Sequence, residues 1–279
     1  MAKQQSVSAR GMGFELQRLR TERGMTCAQV GAAIGVSAST ISRIETGRRP
    51  ASSEDVASIL TALKITGVER ERLMEQSHRQ NDPELVETTT EQSRSFRHFE
   101  TRAISITNFE LFLMPGLAQT PDYARAVIAA TQIDATDKVI EERVGRRMAR
   151  QAILVRRDPP KLHWIVTELG LRQPIGGRPT MARQVRQLAD FATRPNITIN
   201  VIPASVVEHP GLMGSFVTFE FTGDPTIVFV EDRTTGLFLD DPDKVDLYRL
   251  TVEKLTAAAA DSRESIDLMR SVAEDLEHE

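Results

Sequence analysis

Small hydroxyl side chains and one arginine recur at helical spacing between Ser37 and Arg43, in the run SASTISR. Hydroxyl groups and a guanidinium can bond phosphate oxygens and base edges, and small side chains let a helix approach a groove closely. The same helix would turn Ile41 and Ile44 toward a core on its other side. The pattern therefore predicts a helix whose polar face binds double-stranded DNA.

The residues before this helix carry signals for the elements that must position it. Thr26 followed by Gln29 fits the capping box of a preceding short helix. Gly35 suits the positive φ at which that helix would end, and Ser37 can cap the next one. Two short helices joined by a tight turn can place the second helix in the major groove. An ordinary helical hairpin in a bundle is the alternative for the pattern taken alone.

The wider segment Phe14–Ser77 resembles the Xre/lambda-repressor class of helix-turn-helix domains. The resemblance is carried by GFELQRLRTERGMT as the first helix and by GVSASTISRIETG as the turn and recognition helix. It implies an all-α, lambda-repressor-like domain of five helices, with a structural ion pair between Arg20 and Glu45. The family often has a phosphate-binding glutamine early in its second helix, where this chain has Cys27, so we assign Gln29 to the helix cap.

The same resemblance implies a set of DNA contacts. Ala38, Ser39 and Arg43 fall where base-reading residues usually lie, and Arg43 is the only long side chain among them. Phosphate contacts are common at the positions of Thr40, Arg48 and Arg49. The full predicted DNA-binding set is Ser37, Ala38, Ser39, Thr40, Ser42, Arg43, Arg48 and Arg49.

The composition is that of an ordinary globular protein. A chain of 279 residues with 40% apolar residues can form two folded domains. There is no run of about 18 apolar residues and no secretory signal pattern, so we expect no membrane span. A single cysteine suits a reducing cytoplasm, where we expect the protein. With five scattered histidines, the chain shows no metal-ligand spacing, and we expect no metal and no cofactor.

The charge is divided unevenly along the chain. Residues 1–50 contain eight Lys and Arg but only three acidic residues, so their net charge is +5. Because the whole chain carries −4, the remainder carries −9. A basic module attached to an acidic body is expected when only one domain contacts phosphates.

A second domain is predicted after a polar connection. We assign residues 1–77 to the DNA-binding domain, 78–95 to a linker and 96–279 to the second domain; the alternative is a solvated helix that joins the domains rigidly. Strands are predicted at KLHWIVTE, ITINVIP, SFVTFEF and TIVFVE, the last two as a hairpin. A long arginine-rich helix from about Thr136 to Arg156 is either a solvated face or a second basic surface. These elements predict an α+β fold, a small sheet wrapped by helices.

This second domain resembles the C-terminal domain of WhiJ-like regulators. The resemblance covers roughly residues 100–275 and is carried by MPGLAQTPDYARAVI, ELGLRQPIGG, NITINVIP and the GSFVTFEF–IVFVE pair. Such proteins are Xre-type regulators of filamentous actinobacteria, also described as Scr-type antitoxin-like regulators. Membership would imply a transcription regulator that acts with a small partner protein, often encoded nearby, and brings no catalytic residues.

Few residues of the second domain suggest chemistry of their own. His163 and Trp164 on a predicted strand could line a pocket, although a packed histidine is the simpler interpretation. Glu208 and His209 lie beside Pro210 in a predicted loop that could contact a ligand or a protein partner. No GxSxG motif and no recognisable Ser, His and acid set is present, so we expect no enzyme.

Together these patterns predict a homodimeric, sequence-specific transcription repressor that is controlled through its C-terminal domain. The controlling molecule would be a small partner protein or a small-molecule ligand. The alternative is an antitoxin-like interaction module whose main act is to bind a small partner protein. A ligand-gated sensor would require a closed apolar pocket near Trp164, Ile199 and Phe216.

Overall fold

The computed structural model describes residues 6–78 and 84–278. These residues form two compact units. One unit comprises the described residues up to Phe99 together with Phe221–Val245. The other comprises Glu100–Glu220 together with the described residues from Asp246 onward. The chain therefore leaves the first unit after Phe99 and returns to it for one later segment.

Helices supply most of the ordered backbone. In chain order the α-helices are α1 (Val7–Glu22), α2 (Cys27–Ile34), α3 (Ala38–Glu45), α4 (Ser53–Ala62), α5 (Gly67–Ser77), α6 (Thr89–Arg102), α7 (Pro121–Thr131), α8 (Asp137–Arg150), α9 (Glu168–Arg172), α10 (Arg178–Phe191), α11 (Pro242–Ala258) and α12 (Ser262–His278). The strands are β1 (Glu84–Thr88), β2 (Ser105–Glu110), β3 (Lys161–Thr167), β4 (Ile197–Ile202), β5 (Phe216–Glu220), β6 (Ile227–Glu231) and β7 (Thr235–Leu239). Within the described ranges, no helix is both long enough and apolar enough to cross a membrane.

The first five helices form the predicted all-α domain. Their apolar faces meet in one shared core, to which every one of the five contributes. Side chains with no exposed surface in this core are Met12, Leu16, Val30, Ile41, Val56, Leu60 and Leu73. Burial of such side chains contributes roughly 1.5–3 kcal/mol each before the entropy of ordering is subtracted.

Local side-chain bonds start and stop these helices where the sequence predicts. Thr26 and Gln29 form a reciprocal capping box at α2, and Ser52 and Asp55 form another at α4. Gly35 ends α2 at a φ of 75°, in the left-handed region. A side chain with a Cβ is strained at that φ, so glycine fits the turn between α2 and α3.

Helix α1 begins earlier than predicted. The predicted first helix starts at Gly13, whereas α1 starts at Val7 and is capped by Ser6, whose Oγ accepts a hydrogen bond from the Ala9 N–H at 3.2 Å. The added turn contains Arg10, which is 2% exposed. Because Arg10 is charged, it interrupts the apolar periodicity by which a buried helix face is recognised, and the predicted helix therefore begins after it.

The described part of the predicted linker is structured. Residues 79–83 lie outside the described residues, but Glu84–Thr88 form β1, and α6 begins at Thr89. Strand β1 pairs antiparallel with β7, which pairs antiparallel with β6 on its other side. The sequence predicts neither β1 nor β7. Backbone pairing needs no apolar alternation, so a polar segment can form such a strand.

The second unit has the predicted α+β architecture. Its strands β2, β3 and β4 run parallel, and β5 pairs antiparallel with β2. Trp164 of β3 lies opposite Ile199 of β4 in the register. Helix α10 packs on α12, and α12 packs on β4. The predicted fold class, a helical N-terminal domain followed by an α+β domain with a mixed sheet flanked by helices, is confirmed.

One predicted boundary in the second unit is wrong, and one strand was not predicted. The long charged helix ends at Arg150 rather than Arg156, because the chain tightens into a 3-10 turn that buries Ile153 and Leu154. The apolar run that begins ITNFELF forms β2, where the sequence predicts no strand. Strand β2 pairs with both β3 and β5, which are distant in sequence, so its own residues do not reveal this pairing.

A buried polar contact holds the start of α1. The guanidinium carbon of Arg10 lies 4.3 Å from the ring centroid of Phe221 and 5.2 Å from that of Phe99. Arg10 Nη1 also donates a hydrogen bond to the Pro225 carbonyl at 3.0 Å. The Asp240 carboxylate accepts a hydrogen bond from the Val7 N–H. Burial raises the pKa of Asp240 to about 7, although the Val7 bond and the Arg10 charge favour the ionised form and Asp241 disfavours it.

We predict that Asp240→Asn changes the pH dependence of stability. The pKa of Asp240 is about 7 in the folded protein and near 3.9 in an unfolded chain. The free energy of unfolding therefore falls as the pH rises from about 4 to about 7, because over this range the carboxyl ionises more readily in the unfolded chain. The neutral variant should therefore gain in unfolding midpoint relative to the wild type between pH 5 and pH 7, by thermal melts followed by circular dichroism.

The matched control is Asp243→Asn, which removes an exposed carboxylate from α11. It should show no such trend. A midpoint difference between the Asp240 variant and the wild type that stays constant over this pH range would contradict the prediction.

Candidate nucleic-acid interface

Helix α3 has one buried face and one exposed face. Ile41 and Ile44 point into the core and are 0% and 1% exposed. Of the predicted DNA contacts, all are exposed except Thr40, which is half-buried; the exposed residues are Ser37, Ala38, Ser39, Ser42, Arg43, Arg48 and Arg49. The structure thus brings the predicted residues together on one surface, which we call the recognition surface.

The amino end of α3 is capped by its own hydroxyl groups. Ser37 Oγ accepts a hydrogen bond from the Thr40 N–H at 3.1 Å and lies 2.9 Å from Thr40 Oγ1. This cap satisfies one of the backbone N–H groups that a helix start leaves unpaired. The partial positive charge of the helix start is favourable for a phosphate beside Ser37 and Ala38.

The arginines of the recognition surface differ in their partners. Arg43 lies along α3 with its Nε 3.3 Å from the Ser39 carbonyl. Arg49 pairs with Asp55 at 3.0 Å, so part of its charge is balanced within the chain. Arg48 is exposed in the loop after α3. Arg43 therefore has the reach and position for a base edge, whereas Arg48 and Arg49 suit phosphates.

An ion pair fixes α1 to the carboxyl end of α3. Arg20 Nε and Nη2 lie 2.6 and 2.9 Å from the two carboxylate oxygens of Glu45, and Arg20 Nη1 donates to the Met25 carbonyl at 2.6 Å. The hydrogen bonds to Glu45 raise the pKa of Arg20. Cys27 Sγ lies 3.7 Å from the same carboxylate, and burial raises the pKa of its thiol.

Two glycines let the helices approach each other closely. A Cβ at Gly13 of α1 would lie 2.4 Å from the Ile44 carbonyl oxygen of α3. A Cβ at Gly31 of α2 would lie 2.6 Å from the Val36 carbonyl oxygen in the turn. Both distances are below any tolerable contact with backbone atoms. Sequence reasoning missed these two positions, although a glycine inside a helical pattern is the signal that could have found them.

The four candidate residues of the second unit lie on β3 and in the loop after β4. Trp164 is 1% exposed and packs edge-on against Phe191 in the core. His163 Nε2 lies 2.9 Å from Asn200 Oδ1, and burial lowers the pKa of this histidine.

The other two candidates lie in the loop after β4. His209 packs against Phe109 with ring centroids 6.2 Å apart, and burial lowers its pKa. Glu208 is exposed. Of the four candidates, Trp164 is a core residue, His163 contacts an amide, and Glu208 and His209 lie in a loop. Among the described residues, no group of three or more His, Cys, Asp or Glu could hold a metal ion.

Two arginines of the predicted arginine-rich helix α8 bond residues of their own unit. Arg150 pairs with Glu100 at 2.7 Å, and Arg147 donates to Gln119 Oε1 at 2.7 Å. Both bonds tie α8 to neighbouring parts of the second unit. This arrangement favours a structural role for these two arginines over a second basic surface.

An exposed apolar surface lies where β2, β3 and β4 end. Because these strands are parallel, the loops that follow them meet at one edge of the sheet. Two hydrogen bonds join the loops: Thr167 Oγ1 to the Leu111 carbonyl at 2.5 Å, and the Ala204 N–H to Glu168 Oε2 at 2.8 Å. Between 48% and 94% of each side chain is exposed in a set that we call the apolar edge: Phe112, Leu169, Val207, Leu212 and Met213. Sequence reasoning missed it, since single apolar residues in loops give no periodic signal.

We predict that Gly13→Ala destabilises the helix-turn-helix region. The added methyl group would overlap the Ile44 carbonyl, and relief of such overpacking costs about 1–3 kcal/mol. Urea unfolding followed by circular dichroism measures the change. The control is Gly145→Ala on α8, where the new Cβ meets open space and should add up to about 1 kcal/mol of stability. Equal stability of the Gly13 variant and the wild type would show that the close approach is not needed.

We also predict that Arg20→Ala is far more costly than removal of an exposed arginine. Glu45, whose side chain is 4% exposed, would keep a buried charge without its partner, which costs about 3–5 kcal/mol. Arg125→Ala is the control, since Arg125 also bonds a carboxylate, Glu141, but both side chains are about half exposed. Comparable losses in the two variants, measured by urea unfolding, would contradict this ranking.

Comparison with known families agrees with the two-part organisation. Residues 12–73 match the model of a family described as a helix-turn-helix domain, which supports a DNA-binding regulator. Residues 93–271 match the model of a family described as a domain of unknown function, DUF5753. No curated protein and no solved structure matches the chain. Because the second match covers more than half of the chain, the protein belongs to the DUF5753 family.

Proposed function

We propose that this protein is a sequence-specific transcription regulator that inserts α3 into the major groove of DNA. The observation that carries the proposal is the recognition surface, on which small hydroxyl side chains and Arg43 are exposed beside Arg48. Small side chains at Ala38 and Ser39 let the helix backbone come close to the bases. Arg43 supplies the donor pair that a guanine edge accepts. No catalysis and no cofactor is part of this function.

The proposed active form is a homodimer that represses transcription in the cytoplasm. One recognition surface presents a single long base-reading side chain, Arg43, so it can specify only a short stretch of sequence. Two copies that read half-sites one helical turn apart would double the number of specified base pairs. The operator would then be a palindrome with half-site centres about 10 base pairs apart.

Control through the C-terminal domain is supported by the apolar edge. An exposed cluster of Phe112, Leu169, Leu212 and Met213 is unusual on a protein that acts alone, and such patches mark binding sites for other proteins. We therefore propose a small partner protein as the regulator. The same surface favours the second candidate function, an antitoxin-like module whose main act is to hold that partner.

Affinity pull-down of sheared genomic DNA by the full-length protein tests the proposal and separates the two candidates. A regulator should enrich a small number of fragments that share a palindromic sequence, whereas a pure interaction module should enrich none and copurify with a stoichiometric small protein. Recovery of DNA without sequence enrichment would reject sequence-specific regulation.

We predict that Arg43→Ala weakens binding to the enriched fragment by roughly 1–3 kcal/mol and relaxes specificity at one base pair of each half-site. Arg48→Ala is the matched control, because loss of a phosphate contact should weaken binding to all sequences alike and lower the salt dependence. Fluorescence anisotropy with the enriched and a scrambled fragment measures both effects. Unchanged discrimination in the Arg43 variant would remove this residue from the reading set.

A further inference from the structure

Helix α1 is held at its start by a segment far away in sequence. Val7, Ala9 and Arg10 are at most 3% exposed, although they precede the helix-turn-helix region. Val7 and Arg10 contact the segment Phe221–Asp240, which contains β6 and β7 and lies in the same compact unit. Its contact with α1 is specific in geometry, because it includes a carbonyl, a carboxylate and an aromatic ring.

Arg10 is the centre of this contact. Its guanidinium lies over two aromatic rings, those of Phe221 and Phe99, and donates to the Pro225 carbonyl. Cation–π contacts stabilise a desolvated arginine, and a charge this deeply buried is rarely kept unless it is paired. Asp240, at the end of β7, supplies a second bond to α1 through the Val7 N–H.

The contact extends along α1 toward its middle. The rings of Phe14 and His98 are 4.2 Å apart between centroids, which ties the next turns of α1 to α6. Phe96 of α6 in turn packs edge-on against Phe229 of β6, at 4.9 Å. The start of α1 therefore rests on a continuous platform of α6 and the β6–β7 segment.

Further along α1, Gly13 and Arg20 contact the recognition helix. Gly13 leaves no room for a Cβ against the carbonyls of Ile44 and Glu45, and Arg20 binds the Glu45 carboxylate. Helix α1 has 16 residues and moves as a rigid element, so a change of tilt at Arg10 also moves the residues that contact α3. The platform and the recognition helix are thereby joined through one element.

The platform belongs to the part of the chain that defines its family. Residues 93–271 match the DUF5753 model, and this range includes Phe221–Asp240. The helix-turn-helix match, residues 12–73, includes neither that segment nor Arg10. The start of α1, which precedes the helix-turn-helix match, therefore contacts a segment of the DUF5753 match within one compact unit.

We propose that Arg10 is a positioning residue for sequence-specific DNA binding, because it clamps α1 to the Phe221–Asp240 segment and α1 sets the orientation of α3. A displacement of the β6–β7 segment would then change the orientation of the recognition surface. This inference rests on the proposed DNA-binding function, but the clamp itself can be measured without DNA.

The test compares full-length Arg10→Met with the wild type. Methionine fills a similar volume but removes the charge and the bond to Pro225. We expect the ratio of affinities for the enriched and the scrambled fragment to fall by about 2-fold to 30-fold, as expected for coupling through a helix. A role in stability alone would lower the folded fraction and so weaken both affinities by the same factor, which would overturn the proposal.

Hydrogen exchange in the absence of DNA gives a second, independent measurement. Peptides that cover α3 should exchange about 2-fold to 30-fold faster in the variant, while peptides that cover α12 should be unchanged. Unchanged exchange in α3 would overturn the clamp. Failure of the wild type to enrich any DNA would instead reject the proposed function, with the exchange measurement still deciding the clamp.

Two further variants complete the test. Arg10→Lys keeps the charge and a donor for Pro225 but loses the planar stack, so it should fold even if Arg10→Met does not and should lie between wild type and Met in both measurements. Arg263→Met removes an equal charge from an exposed site on α12 and should match the wild type. A lysine variant identical to the wild type in both measurements would exclude the ring contacts from the clamp.

Discussion

The ion pair between Arg20 and Glu45 is the constraint on which the recognition surface depends. It joins the last turn of α1 to the carboxyl end of α3, and both partners lose solvent when they meet. Such a pair is stable only if its geometry satisfies the charges, and here two parallel N–H···O bonds and the Met25 carbonyl do so. Gly13 makes the pair possible, because its missing side chain lets α1 lie directly against the α3 backbone. With the inner face of α3 fixed in this way, its polar face is held toward solvent.

Much of the first unit could be predicted because its signals are local. The capping boxes at Thr26 and Ser52, the turn at Gly35 and the inward isoleucines of α3 each depend on residues within one or two helical turns. The strands that sequence analysis missed depend on distant partners: β1 is a polar segment that becomes a strand only because β7 pairs with its backbone. The buried start of α1 was missed for a related reason. An arginine is usually exposed, and the burial of Arg10 depends on Phe221 and Pro225, which are distant in sequence.

The candidate sites divide in the same way. Helical spacing within α3 predicted that Ala38, Ser39, Ser42 and Arg43 share one exposed face, and the family resemblance added Thr40, Arg48 and Arg49. In the second unit, adjacent residues such as His163 and Trp164 point to opposite sides of a strand, so closeness in sequence says nothing about a shared site. Trp164 lies in the core, and the exposed residues are instead the scattered apolar side chains of three loops. Only the parallel arrangement of β2, β3 and β4 gathers these loops at one edge, and that arrangement is not encoded in any single segment.

We propose that the exposed face of α3 reads DNA, and hydrogen exchange of the full-length protein with and without its enriched DNA fragment is the decisive measurement. Peptides that cover Ser37–Arg49 should exchange more slowly with the enriched fragment, and the effect should be smaller with a scrambled one. Protection confined to other elements, such as α8, with Ser37–Arg49 unchanged, would contradict it.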